Sequence, residues 1–135
     1  MSKKDWRERW LDSIYELTSL NLQKEKWLNL ENTNPHWSFI EFLECYFSDL
    51  FLDDNYQDAL ETKYVSIEEF EILKNWHTKL ANYISPNNDD YNHSEILADK
   101  NWIEIVEIGN DAKHKLIKIV NPEEENILVN GMNAA

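Results

Sequence analysis

Glycine is nearly absent from this chain: two residues in 135, with only three prolines. Tight hairpin turns, phosphate-cradling loops and dinucleotide-binding folds need glycine wherever the backbone takes a positive φ or closely approaches a ligand. A chain with two glycines has little means to repeat such devices, which argues against many-hairpin β-sandwiches and glycine-loop nucleotide sites. At this length folding removes about 68–70% of the unfolded chain's surface from water, enough for a core without disulfides or metal. The single cysteine, Cys45, excludes an intrachain disulfide framework and a cysteine zinc cage. The N-terminal MSKKDWRERW has no apolar signal core, and no run approaches the roughly 18 apolar residues of a membrane helix, so the expectation is a soluble, cytoplasmic protein with no membrane partner.

Apolar periodicity then points to helices. Residues 5–20 place Trp6, Trp10, Ile14 and Leu17 at helical spacing, with Leu11 and Tyr15 beside them and Arg7, Glu8, Asp12 and Glu16 on other faces. Residues 21–34 carry a weaker pattern and read as a connection. Asn34 and Pro35 suit the start of a second helix, whose broad aromatic stripe runs through Phe39, Ile40, Leu43, Tyr46, Phe47, Leu50 and Phe51 to an end near Leu52. Asp58 to Leu60 reads as a short helical turn. Ser66 with Glu69 is a capping-box signature, followed by a buried stripe of Phe70, Leu73, Trp76, His77, Leu80 and Ile84 and a stop at Ser85-Pro86. Asn92 with Glu95 opens a short helix. Asp99 caps a long one carrying Trp102, Ile105, Val106, Gly109, Ala112, Leu116 and Ile119. Gly109 costs about 1 kcal/mol against alanine inside a helix, which marks close approach of another element. After Asn121-Pro122 the chain reads as a tail with residues 127–129 docking as an extended strip. The expectation is an all-α, single-domain bundle of four to five helices over residues 1–120, with a loose, short extended C-terminal tail over 121–135.

Charge is distributed unevenly. The formal net charge is −13; residues 1–26 are nearly neutral, whereas residues 31–71 hold eleven acidic side chains against one basic, Lys63. Like charges this close repel one another until a cation or basic surface meets them. One reading is solubility. The other is a docking surface for a basic protein partner, with Asp49, Asp53, Asp54, Asp58, Glu61, Glu68, Glu69 and Glu71 as contacts and Tyr56 and Tyr64 as aromatic anchors. Both tyrosines equally suit folding back over the core. Direct nucleic-acid binding is disfavoured, because phosphate neutralisation needs a Lys/Arg footprint absent here.

Few residues suggest chemistry. Among His36, His77, His93 and His114 there is no H-x-x-x-H or H-E-x-x-H pair. Asp89, Asp90 and His93 form the densest polar cluster, readable as a helix-entry loop or as the centre of a small metal-dependent or acid–base enzyme. The stretch beginning at Asp53 superficially resembles a calcium loop but has Asp58 at the glycine position and Tyr64 at the terminal carboxylate position, which excludes it. His77 on an apolar stripe reads as a hydrogen-bonded core residue. Cys45, among aromatics in mid-helix, reads as an inert small hydrophobe unless a helper base stands beside it. No metal, cofactor or catalytic residue is expected.

The string Pro35-His36-Trp37-Ser38-Phe39-Ile40-Glu41-Phe42-Leu43-Glu44-Cys45-Tyr46-Phe47-Ser48-Asp49, then Asn55 to Leu60, then Tyr64-Val65-Ser66-Ile67-Glu68-Glu69, resembles immunity proteins of bacterial contact-dependent growth-inhibition systems. The shared pattern is an aromatic helix ending in Tyr-Phe-x-Asp, an acidic loop and a Ser-x-Glu-Glu helix start, over roughly residues 35–85. The resemblance implies an all-helical, cytoplasmic, non-enzymatic protein that binds and neutralises a toxin domain by occlusion. Such toxins are often nucleases with basic active-site surfaces. The other readings are the enzyme centred on His93 and a helical adaptor module that takes a peptide in a groove.

Overall fold

Short polar side chains open the helices that glycine cannot punctuate. Ser2, Ser19, Ser38, Ser66, Asn92, Asp99 and Asn121 each accept a hydrogen bond from a backbone N–H in the following turn. Each such cap is worth about 1 kcal/mol. The computed structural model describes residues 1–132, and these residues form eight α-helices and one 3-10 turn, with no strand among them. The helices are α1 (Lys3–Leu17), α2 (Leu20–Trp27), α3 (Phe39–Phe47), α4 (Gln57–Glu61), α5 (Ile67–Ala81), α6 (His93–Ala98), α7 (Lys100–Ile117) and α8 (Pro122–Asn130); the 3-10 turn is Pro86–Asn88.

The all-α class holds, but the helix count exceeds the expected four to five. α2 was hidden because a polar residue, Gln23, occupies a fully buried position in its pattern. Its amide donates to the Glu16 carbonyl at 2.9 Å and accepts from the Trp102 indole at 3.0 Å, which satisfies the burial. α8 replaces the loose extended tail. Asn121 caps it, Pro122 occupies its first turn, three glutamates complement its N-terminal dipole, and Ile127 and Leu128 are buried. Residues 133–135 of the expected tail lie outside the described residues. α3 begins at Phe39 under the Ser38 cap, four residues after Pro35. Ile84, expected in the core, is 70% exposed because α5 ends at Ala81.

α1 packs against α8, α3, α2 and α7, while α5 lies along α7 and α6 joins α7 to α2. The buried apolar side chains form one cluster in which Trp10, Trp76 and Trp102 are fully enclosed. Both glycines are explained by crowding. A Cβ at Gly109 would lie 2.6 Å from Thr18 Cγ2 and 2.6 Å from Trp76 Nε1, so α7 approaches its neighbours more closely there than alanine allows. Gly131 ends α8 at φ 77° and lies against Tyr15. Elsewhere residues other than glycine take the left-handed region: Phe51, Asn55, Tyr56, Lys63, Asn87 and Asn88. Four of the six fall between residues 51 and 63, the turns on either side of α4. No helix of the described residues is long and apolar enough to cross a membrane.

Candidate functional site

Residues 49–71 run from the end of α3 through α4 into the first turn of α5. Asp49, Asp53, Asp54, Asp58, Glu61, Glu68 and Glu71 are exposed. Glu71 pairs with Lys74; among the described residues the other six form no ion pair. Asp54 accepts from the Asp58 backbone N–H at 3.0 Å, which helps to start α4. Phe51 stands in the same segment, 66% exposed and left-handed. Nothing in the periodicity set it apart, because it continues the apolar stripe of α3 one turn past the helix end.

Two residues expected in the contact set turn inward and a third is half-buried. Tyr56 is fully buried and cannot anchor a partner. Its left-handed backbone, just before α4, directs the ring to the core, where the Trp10 indole donates to its hydroxyl at 3.0 Å. Glu69 is buried too, because it serves two partners at once. It completes the capping box with Ser66 and receives a forked pair of bonds from Arg7 at 2.9 and 2.7 Å. Burial opposes its ionisation, but the Arg7 guanidinium and the capping-box N–H hold its carboxyl below the usual range. Arg7 also binds Glu124 of α8 at 2.7 Å and the Tyr64 carbonyl at 2.8 Å, so one guanidinium ties α1, α5, α8 and the loop before α5 together. Tyr64 is half-buried with its ring 5.7 Å from Trp6.

The inward-facing Tyr56 belongs to a closed polar chain. Trp10 N–H donates to Tyr56, the Tyr56 and Tyr46 hydroxyls lie 2.6 Å apart, and Tyr46 lies 2.9 Å from His77 Nδ1. The indole donates to Tyr56, and the buried Tyr56 O–H has no acceptor but Tyr46 among the described residues, so pairing every hydroxyl proton requires that Tyr56 donates to Tyr46 and Tyr46 to a neutral His77. Burial pushes the His77 pKa down to about 4, in keeping with that acceptor role. The two hydroxyls, the indole N–H and His77 Nδ1 are thereby paired, and among the described residues His77 Nε2 has no hydrogen-bond partner.

His93, centre of the enzyme reading, is engaged on both nitrogens. The Phe39 backbone N–H donates to Nε2 at 3.3 Å, so Nδ1 carries the proton and donates to the Trp27 carbonyl at 3.2 Å. Asp90 accepts from Ser85 at 2.5 Å, and Asp89 accepts from the Tyr91 N–H at 3.0 Å. These contacts bind a helix entry; they do not converge on a ligand. Among the described residues no three His, Cys, Asp or Glu side chains are grouped to hold a metal ion.

A different cluster was illegible in the sequence. Glu16 of α1, only 4% exposed, meets His36 Nε2 at 2.6 Å, and His36 Nδ1 faces Cys45 Sγ of α3 at 3.8 Å. The order thiol, imidazole, carboxylate matches that of cysteine hydrolases, yet the electrostatics run the other way. Burial and the neighbouring Asp49, Glu16 and Glu41 carboxylates push the Cys45 thiol up to about 12. Cys45 also lies in the last turn of α3, the negative end of the helix dipole. The thiol stays protonated. Glu16 itself is pushed up to about 7 by burial, offset in part by the His36 hydrogen bond and reinforced by Asp12 one turn away. The available signal was the width of the α1 core face: Trp6, Trp10, Leu11, Ile14 and Leu17 cover so much of it that Glu16 beside them must be buried.

No protein-family model, no curated protein and no solved structure matches this chain.

Proposed function

We propose that this protein is a non-enzymatic immunity protein that neutralises a basic toxin domain by covering it. The observation that carries the reading is the set of six exposed carboxylates, Asp49, Asp53, Asp54, Asp58, Glu61 and Glu68, that form no ion pair among the described residues. Holding these like charges together is unfavourable in the free protein and favourable against a cationic surface. The resemblance over residues 35–85 supports the same class of partner. Phe51, exposed among these carboxylates, takes the anchoring role that Tyr56 cannot. Carboxylates of this kind set association rate and salt sensitivity, and a buried aromatic anchor sets dissociation.

The test is binding to the toxin domain encoded immediately upstream. Reversing Asp53, Asp54 and Asp58 to lysine should lower the association rate by about tenfold or more at low salt, with the difference shrinking as salt rises. Phe51→Ala should chiefly speed dissociation. Unchanged association and undiminished protection of cells in the triple variant would refute this contact assignment.

A further inference from the structure

A cavity of about 230 Å³ opens beside Glu16, between α1, α2, the entry to α3 and the end of α8. Its walls include Asp12, Tyr15, Glu16, Lys26, Trp37 and Gly131. This volume lies below the roughly 300–1,000 Å³ of drug-sized sites and suits a group the size of one side chain. Glu16 gives Oε2 to His36, and among the described residues its Oε1 has no hydrogen-bond partner. Asp12 Oδ1 accepts from the Met132 backbone N–H at 3.0 Å, which holds the end of α8 against α1. Trp37 supplies an aromatic face, over which the Lys26 ammonium stands 5.0 Å from the ring centroid.

These walls select by charge. The Glu16 oxygen that His36 leaves free has room for a donor, and a second carboxylate one helical turn away favours a donor that carries positive charge. A neutral ligand relieves only the missing hydrogen bond, and an anion worsens the repulsion. A compact cation bearing N–H groups supplies both the donor and the opposite charge, and its flat or rounded face can replace Lys26 on Trp37. We infer that this cavity binds a single guanidinium or alkylammonium group, with Glu16 as its acceptor and Trp37 as its platform. The group can come from a free small molecule or from a basic side chain of another protein; the site is separate from the exposed carboxylates of residues 49–68 and does not depend on their role.

The experiment is a titration of the full chain with ethylguanidinium chloride at constant ionic strength, followed through the Gly131 amide and Trp37 indole resonances by heteronuclear NMR, with ethylurea as the neutral counterpart. Saturable binding in the millimolar range is expected, as befits so small a ligand, with no comparable response to ethylurea. Glu16→Gln should weaken it about tenfold. Lys26→Met, which frees the Trp37 face, should tighten it about two- to fivefold, a gain that damage to the fold cannot produce. A blocked Gly-Arg-Gly peptide distinguishes the sources: binding as tight as the free cation assigns the cavity to a protein's arginine, and its exclusion assigns the cavity to a free small cation. Absence of saturation, an equal response to ethylurea, or Glu16→Gln and Lys26→Met variants that both bind like the parent would overturn the inference.

Discussion

Cys45 and Tyr46 are neighbours on α3, and each faces a histidine from another part of the chain, yet the two polar clusters they belong to have opposite character. Around Tyr46 the groups are neutral and both hydroxyls are fully engaged: indole, two hydroxyls and His77 Nδ1 hand one another single hydrogen bonds inside the core. Around Cys45 the groups are ionisable and incompletely paired, with a long 3.8 Å sulfur contact and a carboxylate that opens on a cavity. A polar group is tolerated in a core when its partners are all present, and then it specifies structure. A cluster that is half satisfied keeps a capacity to bind something else. Completeness of pairing, and not burial alone, separates the two.

The sharpest way to break this contrast is Tyr46→Phe. It removes one hydroxyl but strands two buried groups, the Tyr56 O–H and the His77 Nδ1 acceptor. Each orphaned group costs about 1–3 kcal/mol, so a loss of about 3 kcal/mol in denaturant unfolding is expected. A loss below about 1 kcal/mol would mean that the chain is not closed as described.

The pH dependence of stability should run in opposite directions for the two clusters. His77 has its usual value near 6.5 in the unfolded chain and about 4 when folded, so the unfolded state binds more protons between these values. Its stabilising contribution is complete above pH 6.5 and is lost as pH falls through 4, about 3 kcal/mol in all. Glu16 is the reverse: from about 4.5 unfolded to about 7 folded, the native state binds more protons, so its contribution is present below pH 4.5 and is lost as pH rises through 7, about 2–3 kcal/mol. Glu69, held low by Arg7, adds to the acid-side loss. Differences against single variants therefore isolate each cluster. Relative to the parent, His77→Gln should flatten the acid limb, and Glu16→Gln should gain stability above pH 7. Two variants that shift the curve in the same direction would erase the distinction.

The contrast also shows what a sequence can and cannot display. The Ser66 and Glu69 capping box and the Asp99 cap were legible because their partners lie within a turn, whereas Asn34-Pro35 marked a start that α3 makes four residues later under Ser38. Asn121-Pro122 was equally local but ambiguous, since a pair that can mark the passage into a tail here caps and starts α8. Direction was the harder problem. Tyr56 and Glu69 share an acidic neighbourhood with Asp53 and Asp58, and composition cannot tell which of them face inward. What decides is a left-handed backbone at Tyr56 and an Arg7 that lies 62 residues from Glu69 in the chain. The Cys45, His36 and Glu16 cluster is assembled from three elements with no spacing rule between them, so only the fold brings it together.

The smallest expected effect is also the most discriminating between neighbours. Cys45→Ala removes a half-buried sulfur and a 3.8 Å contact, and leaves no buried donor or acceptor stranded, because the His36 Nε2 bond to Glu16 persists. The expected cost is about 1 kcal/mol or less, against about 3 kcal/mol for the adjacent Tyr46→Phe. Size alone predicts the opposite order, since Cys45→Ala deletes a heavier atom than the oxygen lost from Tyr46. If equilibrium unfolding places the two variants within error of one another, the thiol is part of a closed network after all, and the cavity beside Glu16 is less open to a ligand than its free oxygen implies.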